Sequence, residues 1–286
     1  MSDDLHGRSF LITGGNSGIG LATVEVLASR GASVTVASRS ADKTQALLGE
    51  LRTRFPKAAL HFLALDLGRL SSVKKSAEEF LATGRPLEVL INNAGIAGAS
   101  GRTLDGYEIT LATNHLGPHL FTQLLLPRLK EAKQARIVNV ASRAHRRVRA
   151  LDLSWFTRET SGTRERLEMY GLSKLMNVIH ARELARQLAG TGVTTYALHP
   201  GVVASNVWRE LPWLVQAIGK MFMLTVEEGA RTTLMCATSP ELATVTGRYY
   251  DQEHEARINR LAEDEALANE LFAKSDALIG EALARG

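Results

Sequence analysis

A chain of 286 residues with 45% apolar and 22% charged residues holds enough apolar material for a packed core, which excludes a disordered chain. Its formal net charge of +4 helps anionic ligands approach but falls short of the basic composition of a nucleic-acid-binding protein. The single cysteine, Cys236, excludes an intrachain disulfide and points to a reducing compartment.

The opening residues, MSDDLHGRSF, lack a basic segment followed by an apolar one, so no secretion signal is expected. RSFLIT (8–13) is a short β-prone run that ends in glycines, and IGLATVEVLASRG after it is apolar at helical spacing and stopped by Gly31. SVTVAS (33–38) predicts a second strand, and ADKTQALLGELRTRF a helix that Ser40 caps. ALHFLAL (59–65) is a third strand, followed by the helix SVKKSAEEFLAT. LEVLINN (87–93) is a fourth, before a long helical region that runs to about Lys133. RIVNVAS (136–142) and GVTTYALHP (192–200) are the fifth and sixth, with a helix holding MYGLSKLMNVIH (169–180) between them. The tail DEALANELFAKSDALIGEALA is an amphipathic helix expected to pack on the core.

Nearly continuous apolar strands alternating with amphipathic helices predict a parallel sheet covered on both faces. No repeat or linker divides the chain, so one doubly wound α/β domain over 1–286 is expected. No run approaches the ~18 apolar residues of a membrane span. A cytoplasmic protein without a membrane anchor and without a nucleic-acid partner is the expectation.

TGGNSGIG (13–20) lies between the first strand and its helix, where a dinucleotide-binding turn must sit. Gly14 permits the tight turn, Gly18 lets the backbone approach a pyrophosphate, and Gly20 lets helix and sheet pack closely. The helix N-terminus then offers N–H groups to the phosphates, with Asn16, Ser17 and Ile19 as further contacts in the same turn. The spacing is G-x-x-x-G-x-G rather than G-x-G-x-x-G, so its support comes from its place between strand and helix. The second strand ends VASRSAD, with Ser38 and Arg39 where an NAD site offers a carboxylate to the ribose. A carboxylate repels a 2′-phosphate, whereas an arginine fork and a hydroxyl hold one, so NADP(H) is expected.

Tyr170 and Lys174 stand one helical turn apart. A lysine on a surface helix is commonplace, and a lysine that alters the acidity of a phenol is not; spacing alone leaves both readings open. The sequence has no HExxH and no paired cysteines, so no metal site is expected. His115, His119, His180 and His199 read as scattered residues, structural or solvated.

Taken in order, TGGNSGIG, LDL (65–67), NNAG (92–95), TNHLG (113–117), NVAS (139–142), YGLSK (170–174) and HPG (199–201) are similar to the motifs of the short-chain dehydrogenase/reductase family. The chain resembles that family over nearly its whole length, and ASR and NHLG look most like the branch of retinol dehydrogenases and WW-domain oxidoreductases. The resemblance implies a Rossmann fold, with a cofactor-binding half over about 1–142 and a catalytic and substrate-binding half over about 143–286. It also implies that Asp66 and Leu67 lie against the adenine and that Asn92, Ala94 and Gly95 line the cofactor ribose. Pro200, Gly201, Val203 and Ser205 would border the carboxamide. Asn114 would support a proton-relay water, Ser142 would hold the substrate carbonyl, Tyr170 would be the acid/base and Lys174 would bind the nicotinamide ribose.

A free phenol, with a pKa of about 10, is a poor base at neutral pH. An ammonium ~5 Å away, at an effective dielectric of ~20, favours phenolate by roughly 3 kcal/mol, or about two pKa units. Residues i and i+4 on a helix lie at such a range. On this reading Tyr170 and Lys174 are a catalytic pair, hydride comes from the nicotinamide, and the reaction interconverts a carbonyl and an alcohol.

Ser142 and Tyr170 are 28 positions apart, and RAHRRVRALDLSWFTRETSGTRERLEM between them resembles the longer loop of the retinol dehydrogenase branch. Its arginines read as a solvated surface or as a rim for an anionic substrate. Trp155 in that loop, and Trp208 and Trp213 in NVWRELPWLVQAIGKMFML after Ser205, are candidate substrate contacts. Such bulky side chains favour a lipophilic aldehyde, ketone or alcohol over a small polar one. A non-catalytic NADP(H)-binding sensor or scaffold, and a reductase of a conjugated C=C bond, share the same signature. A homo-oligomer is compatible with all of these.

Overall fold

In the computed structural model, which describes residues 4–201 and 225–285, six strands fall where apolar runs predict them. They are β1 (Ser9–Thr13), β2 (Ser33–Ser38), β3 (Ala59–Ala64), β4 (Val89–Asn92), β5 (Ala135–Val140) and β6 (Val193–His199). β1, β4, β5 and β6 are buried at every position, as strands covered on both faces must be. β3, at the edge, mixes exposed and buried positions. The structure adds two strands that the apolar pattern does not reveal, β7 (Arg248–Asp251) and β8 (His254–Glu255). β7 is short, and its turn into β8 carries no Asn-Gly or Asp-Gly pair; Gln252 and Glu253 adopt left-handed φ values of 51° and 65° instead.

Among the described residues the sheet has eight strands in the order β3-β2-β1-β4-β5-β6-β7-β8, all parallel except β8. The chain winds outward to β3 and then returns to the other side of β1, so the order reverses between β1 and β4. The loops leaving those two strands diverge and open a crevice at the carboxyl ends of the sheet, where doubly wound sheets bind ligands.

One face is covered by α1 (Gly18–Ser29) and α2 (Ala41–Arg54), which bury Val24, Leu27, Leu48 and Leu51. Ser40 stands at the N-cap of α2, but its side chain makes no capping bond; its carbonyl accepts the Thr44 hydroxyl at 2.7 Å instead. The other face carries α3 (Leu70–Ala82) and a composite helix. A single turn, α4 (Ile109–Leu111), widens into a π-helical turn at Ala112–Leu116 and narrows again into α5 (Gly117–Lys130). The long helix expected to about Lys133 therefore begins only at Ile109, ends at Lys130 and is locally unwound around Asn114. α6 (Thr163–Gln187) crosses behind β5 and β6, and α7 (Val226–Thr238) packs beside α1. α8 (Glu265–Arg285) closes the second face, burying Leu271, Phe272, Leu278 and Ile279 at roughly 1.5–3 kcal/mol each. The Tyr107 hydroxyl donates to the Leu278 carbonyl at 2.6 Å and pins that helix. Among the described residues, no helix is long and apolar enough to cross a membrane.

α5 can approach the loop after β3 because it starts with a glycine: a Cβ at Gly117 would stand 2.3 Å from the Leu67 carbonyl oxygen, which is backbone. Gly117→Ala should therefore cost about 1–3 kcal/mol of stability, read as a lower urea midpoint with an unchanged slope.

Candidate active site

The crevice is built first by the glycine turn. Gly14 follows β1 with φ of 68°, and a Cβ there would meet the Ala94 Cβ at 3.0 Å, so the turn lies directly against the loop after β4. A Cβ at Gly20 would stand 2.4 Å from the Gly14 carbonyl oxygen, so α1 folds tightly back on its own turn. Gly15, unremarked in the motif, is as constrained: its Cβ would meet Ile12 and Val24 side chains at 2.9 Å. Ser17 stands at the N-cap of α1 but makes no side-chain cap, and the first turn carries no acidic residue, so the helix N-terminus retains N–H groups for an anion. Gly18 is left-handed with φ of 52°, and Ile19 is half-buried. Two residues absent from the candidate set join the turn to β4. The Asn93 amide donates to the Thr13 carbonyl at 2.9 Å, and the Thr13 hydroxyl accepts the Asn93 and Ala94 N–H groups at 3.1 and 3.0 Å.

At the end of β2, the Thr44 hydroxyl donates to the Ser40 carbonyl and accepts the Asn16 amide at 2.9 Å. Having one proton, Thr44 must also be the acceptor of its 2.7 Å bond with Ser38. The Ser38 hydroxyl is thus turned inward, while Arg39 next to it is exposed and makes no ion pair among the described residues. Asp66 is half-buried and accepts the Gly68 N–H at 3.0 Å; Leu67 is buried.

The catalytic candidates converge at the ends of β4 and β5. Ser142 sits just past β5 and hydrogen-bonds the Tyr170 hydroxyl. Its Oγ also accepts the Ala144 N–H at 3.2 Å. Lys174, one turn along α6, donates from Nζ to the Val140 carbonyl at 2.8 Å and lies 5.6 Å from the centre of the Tyr170 ring. A Cβ on Gly95 would stand 3.3 Å from Nζ and 3.2 Å from the Asn114 Oδ1, so a larger residue there would push the two side chains apart by a few tenths of an ångström. Asn114 spends its side chain on structure: Oδ1 accepts the Ile96 N–H at 2.8 Å, and Nδ2 donates to the Ile96 carbonyl at 2.9 Å and the Ser173 Oγ at 3.0 Å. Its backbone carbonyl, freed by the π-helical turn, accepts the Asn177 amide at 2.8 Å. Glu108, buried at the N-cap of α4, accepts the Leu111 N–H at 2.7 Å and the Thr160 hydroxyl at 3.1 Å, and so anchors the Asn114 turn. Asn92 faces inward, donating to Thr122 and Asn139 at 3.0 and 3.1 Å, and ties β4 to its neighbours.

The acidity of the pair departs from the sequence expectation. Burial pushes the Tyr170 phenol above its ordinary value, and the Ser142 hydrogen bond pulls it part of the way back. Lys174 is driven down to about 8 by burial. Opposite charges in water attract across ~5 Å, but here both groups are stripped of solvent, and desolvation outweighs their mutual attraction.

Residues 8–152 match the family model described as short chain dehydrogenase. The chain is 42% identical to Dehydrogenase/reductase SDR family member 13 of Bos taurus over 96% of its own length and 74% of that protein's. The chain belongs to the short-chain dehydrogenase/reductase family. Human retinol dehydrogenase 12 is 40% identical, with 96% of this chain and 87% of that protein covered. The crystal structure of a putative uncharacterized protein from Mycobacterium paratuberculosis superposes with a TM-score of 0.76 at 33% identity, covering 97% of this chain and 95% of the other. With membership of the short-chain dehydrogenase/reductase family comes NAD(P)-dependent oxidoreductase chemistry.

Elsewhere the structure redistributes the candidates of this short-chain dehydrogenase/reductase. Trp155 is half-buried against the core, with Arg158 stacked 4.7 Å from its ring centre. Pro200 and Gly201, with φ of 90°, follow β6 directly. Val203, Ser205, Trp208 and Trp213 lie outside the described residues. Three of the four histidines are not scattered: His115, His119 and His180 form one buried cluster with ring centres 5.3 to 6.2 Å apart, while His199 stands apart at the end of β6. Among the described residues no group of side chains could hold a metal ion.

Because the fold lowers the Lys174 pKa from 10.5 to about 8, the unfolded chain holds more protons between those values. The stability of the wild type relative to Lys174→Met should therefore rise as pH increases from about 8 to about 10.5, measured by urea unfolding at each pH.

Proposed function

We propose that the protein is an NADP(H)-dependent oxidoreductase that interconverts a carbonyl and an alcohol, with Tyr170 as its acid/base. The observation that carries this reading is the convergence of Ser142, Tyr170, Lys174 and Asn114 at the open end of the sheet, with Ser142 bonded to the phenol. The glycine turn fits a dinucleotide: Gly14 and Gly20 let it fold tightly against the loop after β4 and back on α1, and the α1 N-terminus, without a side-chain cap or an acidic first turn, stands beside it. When bound, the nicotinamide supplies or accepts the hydride. The protein's own groups then have separate tasks. Ser142 and Tyr170 receive the substrate oxygen between their hydroxyls, and Tyr170 hands its proton to that oxygen as negative charge develops there. A phenol raised by burial is protonated at neutral pH, which suits the reductive direction. Lys174, held by the Val140 carbonyl next to Gly95, presents a cation to the ribose hydroxyls, and Asn114 keeps the loop at Ile96 in register with α6 through Ser173.

Arg39 supports NADP(H) over NAD(H). It is exposed directly after β2, no carboxylate stands beside it in the sequence, and Ser38 is engaged with Thr44. Arg39 then holds the 2′-phosphate, while Ser38, Thr44 and Asn16 set the shape of the loop. A lipophilic aldehyde, ketone or alcohol fits the tryptophan-rich composition after β6, and retinol, the alcohol in the name of one relative, is of that class. Residues up to about 142 serve the cofactor in this reading, and those beyond it serve catalysis and substrate.

Tyr170→Phe should lower NADPH-dependent turnover of aldehydes by about 10²- to 10⁴-fold, with NADPH affinity changed little. Equal turnover in the mutant would remove Tyr170 from the chemistry. NADPH binding without turnover of any aldehyde, ketone or enone would favour a sensor instead. Arg39→Asp should weaken NADPH binding by roughly 10- to 100-fold and leave NADH binding equal or better, read by nucleotide fluorescence. An unchanged preference would place phosphate recognition elsewhere.

A further inference from the structure

Ser142 follows Ala141, whose N–H still bonds the Leu198 carbonyl of the sheet, and opens a single 3-10 turn, Arg143–Arg147, that meets its Oγ through the Ala144 N–H and leads into a long irregular loop. The turn is held from outside. The Arg143 guanidinium makes a two-point contact with Asp251, Nε to Oδ2 at 2.6 Å and Nη2 to Oδ1 at 2.8 Å. Arg146 reaches the same carboxylate at 3.4 Å, donates to the Arg257 carbonyl at 3.1 Å and lies over the Tyr249 ring. His145, buried between them, bonds the Ser142 carbonyl at 2.6 Å through Nδ1 and packs edge-on against Tyr249. The Asn259 amide closes the far end on the carbonyls of His145 and Val148, at 2.9 and 2.7 Å.

Asp251 is the centre of this arrangement. It is the last residue of β7, paired in register with His199 of β6, so its backbone belongs to the rigid sheet. Its side chain is 7% exposed; burial pushes its carboxyl upward, but the Arg143 hydrogen bond and the charges of His199, Arg143 and Arg146 outweigh that and hold it below its ordinary range, so it remains an anion at neutral pH. A bidentate carboxylate–guanidinium pair fixes orientation as well as distance. Two of the loop's arginines are thereby committed to Asp251 and to the turn, which leaves the loop's basic character a smaller part in attracting substrate.

We propose that Asp251 is a positioning residue for Ser142: through Arg143 and Arg146 its carboxylate ties the Ser142 turn to the end of β7 and so aims the hydroxyl at Tyr170. This inference rests on the oxidoreductase reading for its consequence in turnover, but the clamp itself can be tested without turnover. Asp251→Asn keeps the size of the side chain and removes the charge; Asp251→Glu restores the charge. Both are made in the wild type and in Ser142→Ala, and amide hydrogen exchange of residues 143–148 is followed beside NADPH-dependent aldehyde reduction.

Asp251→Asn should lower kcat/KM about 10- to 100-fold in the wild type, the cost of displacing a catalytic group by about 1 Å, and speed exchange across 143–148. In Ser142→Ala the same change should cost less than about threefold, because a group acting through Ser142 has nothing left to position. Asp251→Glu should recover most of both losses, with NADPH affinity unchanged throughout. Equal losses in the two backgrounds, or unchanged exchange at 143–148, would overturn the proposal. If Asp251→Asn does not fold, Arg143→Lys, which alters a half-exposed side chain and loses the two-point contact, carries the same expectations. A wild type that binds NADPH but reduces no carbonyl would sink the functional reading alone, and the exchange rates would then decide whether the clamp exists.

Discussion

The ammonium of Lys174 is almost wholly buried, and it is tethered by the Val140 carbonyl at the end of β5. A buried cation is expensive, so the groups around it have little freedom to vary. α6 must cross the carboxyl end of β5 at the height that lets Nζ reach Val140. Gly95 leaves room for both, since a Cβ there would press on Nζ and the Asn114 Oδ1 at 3.3 and 3.2 Å. Tyr170, one turn earlier on the same helix, is then delivered to Ser142 without any freedom of its own. The helix, the strand end and the loop after β4 are fitted around one charge, which explains why so many separate motifs fall at a single point in space.

The central strands were legible because parallel strands buried on both faces read as uninterrupted apolar runs; Phe10-Leu11-Ile12 and Ile137-Val138 are examples. β7 and β8 were not, since they lie toward the sheet edge and their turn is made by Gln252 and Glu253, neither of them a residue that announces a left-handed backbone. The same division runs through the site. Gly14, Gly20, Ser142, Tyr170 and Lys174 could be found in sequence because their chemistry is local or their motif is known. Thr13, Thr44, Asn93, Glu108 and Ser173 could not, because an ordinary polar residue takes its meaning from partners placed by the fold. Thr13 meets Asn93 across 80 positions, and Asn114 meets Ser173 across 59.

The acidity of Tyr170 shows the limit of counting charges in a sequence. Spacing gives the distance from phenol to ammonium, and Coulomb's law gives a sign. Neither gives the solvent, and burial reverses the outcome for both partners. The histidines make the same point in a different way. His119 and His180 are far apart in the chain and adjacent in space, because the turns that lead into α5 pack on α6 and α8 covers both helices.

That cluster has a consequence for the environments in which the fold can survive. His115 bonds Ser275, His119 bonds Asp276, and His180 stacks on Phe272, so all three hold the C-terminal helix in place. Burial keeps His115 and His180 neutral well below their ordinary pKa of 6.5. The unfolded chain takes up those two protons as pH falls through 6.5, while the folded chain refuses them. Their contribution to stability is therefore complete above that pH and drains away below it. Acid should therefore loosen the tail helix, and because His115 directly follows Asn114 and His180 shares α6 with Tyr170 and Lys174, that boundary runs along the elements that carry the candidate site.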